Sequence, residues 1–493
     1  MKTIMKSENH ETDYFNNDHL SPSPHLTRAL GTLELIYHRH FLAGMDIASI
    51  ALHISSCEPL TDDHVRTAMF CIARKHPLFR MRIVKDQINQ GMYNFLEMEP
   101  ILIDFRHENS KHWRYLMSEE GSVRFDVENG PLWRCRLISV KETWDKTGTP
   151  TAEKMQLNCQ YIFLLSAHHA IADTTYFRWF LSDFIHYMRS AQRLESIEPI
   201  YSHPLYPPID CILSAVGGNV PRENTSIKSN SGSALMSERN DTVLKEYNFR
   251  FANEILSLSD KRVKSLVQNF TLNSVETRRV MEMCKRNETK LSGAVIAAMT
   301  FAFVRLVYGN ADRTCNLVIP IEILVDLRRF LPPSIQDNLN GFPYPGVGSN
   351  HTEQCLSICT SEDVTQSTNM WKAARRCSNE IQENLRNGCY LRDIAPKDKV
   401  HEKGKSHIVM CFSNNGSFSH DTNIAQSDDI QVRDCLTSST IVIDDSPIFF
   451  VTCHTQHGQL SVSIIYTQNY TSDETAVTFM GYIQSLLTNS SKL

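Results

Sequence analysis

The feature that most constrains the fold is a near-continuous apolar run, Tyr161 to Ala167, in the first half of the chain. A run of this kind, without regular polar alternation, is typical of a central β-strand that is covered on both faces. Apolar residues at helical spacing follow it and form one stripe: Phe177, Phe180, Leu181, Phe184, Ile185 and Met188. A buried strand followed by an amphipathic helix predicts an α/β fold.

Other segments alternate strand and helix patterns before and after this one. Apolar alternation predicts strands near residues 50–54, 79–83, 133–137, 317–325 and 460–464. Helical spacing predicts helices near residues 65–73, 263–270, 293–307 and 479–487. Arginines alternate with the apolar residues in 79–83 and 133–137, so we expect each of these two strands to have one solvent-facing side.

The length of the chain, 493 residues, predicts two domains, because one hydrophobic core rarely serves a chain of this size. Residues 1–24 are polar and are expected to form a flexible tail. Residues 216–244 are rich in Gly, Ser and Asn, and we interpret them as a polar linker. The predicted domains are therefore residues 25–215 and 245–493.

The composition argues against several classes of function. Hydrophobic residues make up 41% of the chain and charged residues 21%, a balance typical of globular proteins. A net charge of -5 gives no attraction for nucleic acids or an anionic membrane surface, so we expect the partner to be a small molecule or another protein. We also expect a monomer. The longest apolar stretch, Ala294 to Val304, is roughly half of what crosses a bilayer and predicts a buried helix rather than a transmembrane segment.

The cysteines and the N-terminal segment indicate the compartment. The 14 cysteines are scattered without a Cys-x-x-Cys pair, which favours reduced thiols over a disulfide framework. The N-terminal segment lacks the apolar run of a secretory signal. We therefore expect a cytoplasmic protein.

The sequence His168-His169-Ala-Ile-Ala-Asp173 lies where the buried strand ends and the amphipathic helix begins. Successive side chains of an extended segment point to opposite faces, so one histidine is expected to face a cleft and the other the protein interior. Two such residues do not converge on one metal ion, and no metal site is predicted. A buried histidine is more often structural than catalytic, but a neutral imidazole at a strand end, with Asp173 one tight turn away, favours base catalysis.

The segment HHAIADT resembles the HHxxxDG signature of the chloramphenicol acetyltransferase-like superfamily, which includes condensation domains and alcohol acetyltransferases. Other family motifs are matched in the same order along the chain, over about residues 28–488. These are Leu33-Glu34, HPLFRMRI at 76–83, FDVENGPLWRCRL at 125–137, VDLRRFLPP at 325–333, Leu339-Asn340-Gly341 and SNNG at 413–416.

The resemblance implies two chloramphenicol acetyltransferase-like subdomains that pack as a V around a tunnel. An acyl donor, acyl-CoA as co-substrate, and an acceptor would meet at the second histidine of the motif, His169, which would be the general base for a hydroxyl or amine acceptor. His168 and Asp173 complete the predicted catalytic set, and Arg328 is the predicted partner of Asp173, unless it is a surface cation. Ser413 and Asn414 are candidate oxyanion donors or wall residues, and no bound cofactor is expected.

Thr174 departs from the family pattern, because it replaces a glycine that is free to adopt positive φ. The plant-type DFGWG motif is absent from the sequence, which favours a free-standing enzyme near the alcohol acetyltransferase branch. The basic segment 397–405 could meet the phosphates of coenzyme A or could be a solvated surface. Two alternatives stay open: an inactive relative that binds a lipid or protein partner, and a stand-alone condensation enzyme with a carrier-bound donor.

Overall fold

The computed structural model describes residues 26–89, 91–110, 112–140, 159–197, 199–216, 247–248, 250–251, 264–309, 316–338, 345–359, 367–388, 409–418, 429–441, 447–468 and 470–489. Four segments that the sequence analysis singled out lie outside these residues: the predicted tail 1–24, residues 217–244 of the predicted linker, residues 339–341 and the basic segment 397–405. The described part of the chain forms three sheets and ten α-helices.

A five-stranded sheet carries the histidine motif. In the order β12-β2-β7-β6-β5, its strands are Ile430–Ser439, Ile47–Ser56, Cys159–His168, Trp133–Ser139 and Phe105–Asn109. The middle strand β7 pairs antiparallel with both β2 and β6 and is buried over most of its length, as the apolar run predicts. The edge strand β12 comes from the second half of the chain and runs antiparallel to β2.

A six-stranded sheet is built entirely from the second half of the chain. In the order β10-β9-β11-β13-β14-β8, its strands are Ser349–Cys359, Asn316–Asp326, Met410–Ser417, Phe449–Gln456, Gln459–Thr467 and Ser265–Leu272. A third, three-stranded sheet consists of β1 Thr27–Ala29, β4 Tyr93–Glu97 and β3 Met81–Lys85.

Helices pack against the two large sheets, and one of them, Trp113–Ser122, lies between the sheets and contacts β2, β7 and β8. In chain order they are α1 Thr32–Ala43, α2 Asp62–Lys75, α3 Trp113–Ser122, α4 Thr174–Gln192, α5 Ile209–Val216, α6 Ser274–Arg286, α7 Leu291–Tyr308, α8 Pro333–Asn338, α9 Ser367–Arg386 and α10 Asp473–Asn489. Helix α7 is long and apolar enough to cross a membrane, but most of it is buried in the protein, where it packs against α9 and α10. The prediction of a buried core helix at 294–304 is confirmed.

The two faces of β7 pack against different layers. Phe163 contacts the helical layer, where its ring stacks on Phe184 of α4 at 4.0 Å between centroids. Ile162 and Leu164 belong to a separate cluster that also contains Phe450 and Ile465 of the six-stranded sheet. The five-stranded and six-stranded sheets therefore contact each other through apolar side chains, and the end of β7 lies near this junction.

Three local predictions are wrong. Arg80, expected on the solvent-facing side of a strand at 79–83, is buried at the end of the 3₁₀ helix Pro77–Arg80 and forms an ion pair with Glu97. The helix predicted at 263–270 is strand β8, because its apolar residues pair across the sheet with β14 and not along a helix face. The arginines of β6 do not face solvent: Arg134 and Arg136 are buried and form ion pairs with the buried Glu120 of α3. Partners outside each segment decided these three outcomes.

Candidate active site

The histidine motif forms a tight connection between β7 and α4. Strand β7 ends at His168, and Asp173 is the N-cap of α4, where its Oδ1 accepts a hydrogen bond from the Tyr176 N–H at 2.9 Å. The backbone N–H of His169 donates to the carbonyl oxygen of Asp46 at 3.2 Å, which ties the turn to the segment before β2. The turn is therefore held at both ends.

His169 lines a cavity and is supported from one side by an aromatic ring. Its imidazole stacks on the ring of Tyr37 with 4.2 Å between centroids and 11° between planes. The Tyr37 hydroxyl donates to the Ser349 carbonyl at 3.1 Å, and burial together with the charge of Asp46 raises the pKa of Tyr37 well above its ordinary value. Tyr37 therefore stays a neutral phenol that fixes the plane of the His169 ring.

His168 points away from this cavity into the protein, where it is fully buried. The N–H of Ala170 donates to its Nδ1 at 3.1 Å, and its Nε2 lies 3.2 Å from Nδ1 of His38. Because Nδ1 accepts, the hydrogen-bond network assigns the proton of neutral His168 to Nε2, which donates to His38. Burial lowers the pKa of both histidines, that of His38 to about 4, so His168 is a neutral support of the turn.

Asp173 is buried in a two-point ion pair with Arg328. The guanidinium nitrogens lie 2.9 and 3.0 Å from the two carboxylate oxygens, and the Gly348 N–H donates to Oδ2 at 2.8 Å. Burial by itself raises the pKa of Asp173, but Arg328 and the backbone donors outweigh it and lower that pKa. The predicted contact is present, and Asp173 acts as an anchor between the two halves of the chain.

Thr174 occupies the glycine position of the motif without strain. It is the first residue of α4, and it is not among the residues with positive φ. Glycine is instead required at position 348, just before β10. A Cβ atom added to Gly348 would lie 2.5 Å from the Arg328 guanidinium. Gly346, at φ 82°, adopts a conformation that favours glycine.

Ser413 and Asn414 lie on β11 and line the same cavity as His169. The Ser413 hydroxyl donates to Asn415 Oδ1 at 2.9 Å. The Asn414 side chain donates to Ser292 Oγ at 2.9 Å and accepts from the Gly416 N–H at 3.0 Å. The side chains of both predicted oxyanion donors thus form hydrogen bonds with other residues of the protein.

The rest of the cavity comes from elements distant in sequence. The first half of the chain contributes residues including Tyr37, Asp46, His169 and Thr174. The second half contributes residues including Leu324, Asn415, Thr437 and Thr452. Asn415 donates to Thr437 Oγ1 at 3.1 Å, which connects β11 to β12. A neutral imidazole that lines such a cavity could accept a proton from a bound hydroxyl or amine.

Asp46 adds a carboxylate and a strained backbone to this cavity. Its φ of 57° is left-handed, which is uncommon outside glycine and is often found at functional sites. Its N–H donates to the Thr440 carbonyl at 3.0 Å, and its carboxylate lies 2.7 Å from His40 Nδ1. These contacts hold Asp46 so that its own carbonyl accepts from His169.

No protein-family model and no curated protein matches the sequence. Solved structures do match, over nearly their whole length. One is the trichothecene 15-O-acetyltransferase from Fusarium sporotrichioides, with a TM-score of 0.62, 12% identity and coverage of 94% of this chain and 95% of that chain. Another is the epimerization domain from the third module of tyrocidine synthetase B, with a TM-score of 0.58, 13% identity and coverage of 95% and 97%. This chain has the chloramphenicol acetyltransferase-like fold.

A third structure with the chloramphenicol acetyltransferase-like fold is polyketide synthase associated protein 5 from Mycobacterium tuberculosis. Its TM-score is 0.61, with 14% identity and coverage of 94% of this chain and 98% of that chain. At this level of identity the likeness shows the fold, so the predicted α/β fold of the chloramphenicol acetyltransferase-like type is confirmed, while the V-shaped packing of two subdomains stays a prediction. The reaction is a separate question, because an acetyltransferase and an epimerization domain share the fold.

Sequence reasoning did not single out several cavity residues of this chloramphenicol acetyltransferase-like fold. Tyr37 lies one helical turn after Leu33 of the opening motif, and Asn415 lies inside the SNNG motif, so the sequence carries a signal for both. Thr437 and Thr452 carry no such signal. Their strands reach the cavity only through the pairing of β12 with β2 and of β11 with β13.

Proposed function

We propose that this chain is an acyltransferase that uses His169 as the general base. The donor is a thioester, acyl-CoA, and the acceptor is a small molecule with a hydroxyl or an amine, handled by a monomer in the cytoplasm. The observation that carries the proposal is the setting of His169, whose ring is fixed on Tyr37 while it lines a cavity built from both halves of the chain.

The proposed reaction needs no covalent enzyme intermediate. The acceptor oxygen or nitrogen bonds to the thioester carbonyl carbon while its proton moves to the His169 imidazole. The tetrahedral intermediate then breaks its carbon–sulfur bond, and the thiolate takes the proton from the imidazolium to leave as a thiol. His169 ends the cycle neutral, ready for another acceptor.

The neighbours of His169 support this assignment over a purely structural one. His168 and Asp173 each have a full set of contacts that hold the turn, whereas the His169 ring adjoins the cavity. The turn and the ring plane of His169 are therefore set before a substrate binds, which is what a general base requires. The fold shared with an acetyltransferase is in keeping with this reaction.

The test is acyl transfer by the purified full chain with a panel of acyl-CoA donors and of alcohol and amine acceptors. Free thiol and acylated product are both measured. The variant His169→Ala should lose about 10²–10⁴-fold in kcat, the usual contribution of a general base. His186→Ala removes an exposed histidine of α4 and serves as the matched control.

Two results would contradict the proposal. If His169→Ala kept near-wild-type turnover, the assignment of the base would be wrong. If the wild-type chain bound acyl-CoA but transferred no acyl group to any acceptor, the protein would be an inactive relative. Transfer from a carrier-bound thioester alone would replace acyl-CoA as the donor and leave the role of His169 intact.

A further inference from the structure

Thr452 lies on β13 and faces the cavity that His169 lines. Residues that pair across a sheet point to the same side, and Thr452 pairs with Ser413 of β11, another cavity residue. Phe450, two residues earlier on β13, also lines the cavity, in keeping with the alternation of side chains along a strand. Thr452 thus belongs to the wall that the six-stranded sheet contributes.

The hydroxyl of Thr452 is buried without a hydrogen-bond partner among the described residues. The whole residue is only 4% exposed. A buried hydroxyl without a partner destabilises a folded protein, because its bonds to water are lost and not replaced. Because Thr452 lines the same cavity as His169, a bound substrate can supply the missing partner.

Unlike Thr452, other polar side chains of this wall form hydrogen bonds with neighbouring protein side chains. The Ser413 hydroxyl donates to Asn415, whose amide donates to Thr437, and the Asn414 amide donates to Ser292. The Thr452 hydroxyl proton is therefore unengaged among the described residues, whereas the Ser413 hydroxyl proton and one of the two Asn414 amide protons are engaged in the wall.

We propose that the Thr452 hydroxyl donates a hydrogen bond to the thioester carbonyl oxygen as that oxygen gains negative charge. This inference rests on the proposed acyl transfer. The acceptor bonds to the carbonyl carbon, its proton moves to His169, and the electron pair of the C=O π bond moves to the oxygen that Thr452 contacts. When the carbon–sulfur bond breaks, the pair returns and the Thr452 bond weakens. Its proton stays on Thr452 throughout.

The experiment compares Thr452→Val with Thr452→Ser in the full chain. Valine keeps the shape of threonine but removes the hydroxyl, so kcat should fall by about 10²-fold, the usual effect of losing one oxyanion donor. Serine keeps the hydroxyl and should restore most of that loss. The Tm of Thr452→Val should be unchanged or higher, because no hydrogen bond within the protein is broken.

Ser463 provides a matched control. It pairs with Thr452 across β13 and β14 and is also buried with an unpartnered hydroxyl among the described residues, but it does not line the cavity. Ser463→Ala should likewise keep or raise the Tm, and it should leave kcat unchanged.

The outcomes separate this inference from the proposed function. Full activity of Thr452→Val, in a wild-type background whose turnover depends on His169, would overturn the Thr452 role alone. A raised KM for the acceptor with unchanged kcat would also overturn it, because the hydroxyl would then bind the acceptor ground state. A wild-type chain without His169-dependent turnover would overturn the proposed function, and this inference with it.

Discussion

His168 and His169 are adjacent in the chain but have opposite environments, and this difference is set by individual contacts. His169 packs on Tyr37 at the cavity, whereas His168 accepts from Ala170 and donates to His38 in the interior. Burial lowers the pKa of His168 well below its ordinary value, so this ring stays a neutral support of the turn. Only the residue at the cavity is suited to exchange a proton with a substrate.

At the residue scale, we predict that Asp173→Asn lowers stability and activity together. The change leaves the buried Arg328 guanidinium without its carboxylate partner, and breaking a buried pair typically costs about 3–5 kcal/mol. The free energy of unfolding from urea titration and the kcat of acyl transfer are the measurements.

A double-mutant cycle with Arg328→Ala tests the coupling directly. The two changes should be strongly non-additive, since either one breaks the same ion pair. Free energies of unfolding that simply add would show that the contact contributes nothing to stability.

At the scale of elements, the segment 345–348 connects the turn between β7 and α4 to the second half of the chain. Ala172 forms a parallel bridge with Gly346, and Arg328 donates to the Gly346 carbonyl at 2.5 Å. The ion pair of Asp173 is thus packed directly against glycine backbone. The same segment precedes β10, which pairs with β9, so a change there acts on the sheet and on the turn at once.

We predict that Gly348→Ala destabilises the protein by about 1–3 kcal/mol and reduces kcat, because the new methyl group displaces the Arg328 guanidinium. Gly481→Ala on α10 is the matched control. Nothing lies within 4 Å of its added Cβ, and alanine in a helix should stabilise by about 0.5–1 kcal/mol. Thermal unfolding and kcat are measured for both variants; equal effects would contradict the steric argument.

At the scale of the whole molecule, several buried histidines make stability depend on pH. Burial lowers the pKa of His38 and His454 to about 4 and, with a smaller effect of Arg114, that of His53 to about 3. Each stays neutral when folded at a pH where the unfolded chain, with an ordinary value of 6.5, takes up a proton. The unfolded state binds more protons in that range, so stability rises with pH there.

We therefore predict that the free energy of unfolding increases from about pH 4 to about pH 6.5, by up to about 1.4 kcal/mol per pH unit for each such histidine. Asp434 opposes the trend, since burial raises its pKa to about 6, but it is one group against these three histidines and against His168 and His203, whose pKa values burial also lowers. Urea titrations across this range are the measurement, and His53→Gln should reduce the slope. A flat or falling profile would contradict the prediction.

The amino-acid sequence alone determined the α/β class, the strand β7 with its histidine motif and helix α4, whereas the pairing of Asp173 with Arg328 was implied only by the family resemblance. These depend on local periodicity or on a motif whose residues keep fixed spacing. The sequence did not reveal that the arginines of β6 are buried, that 265–272 is a strand, or that Tyr37 and Thr452 border the cavity. Each of these depends on a partner far along the chain, and a local pattern carries no record of which distant strand or carboxylate will lie beside it.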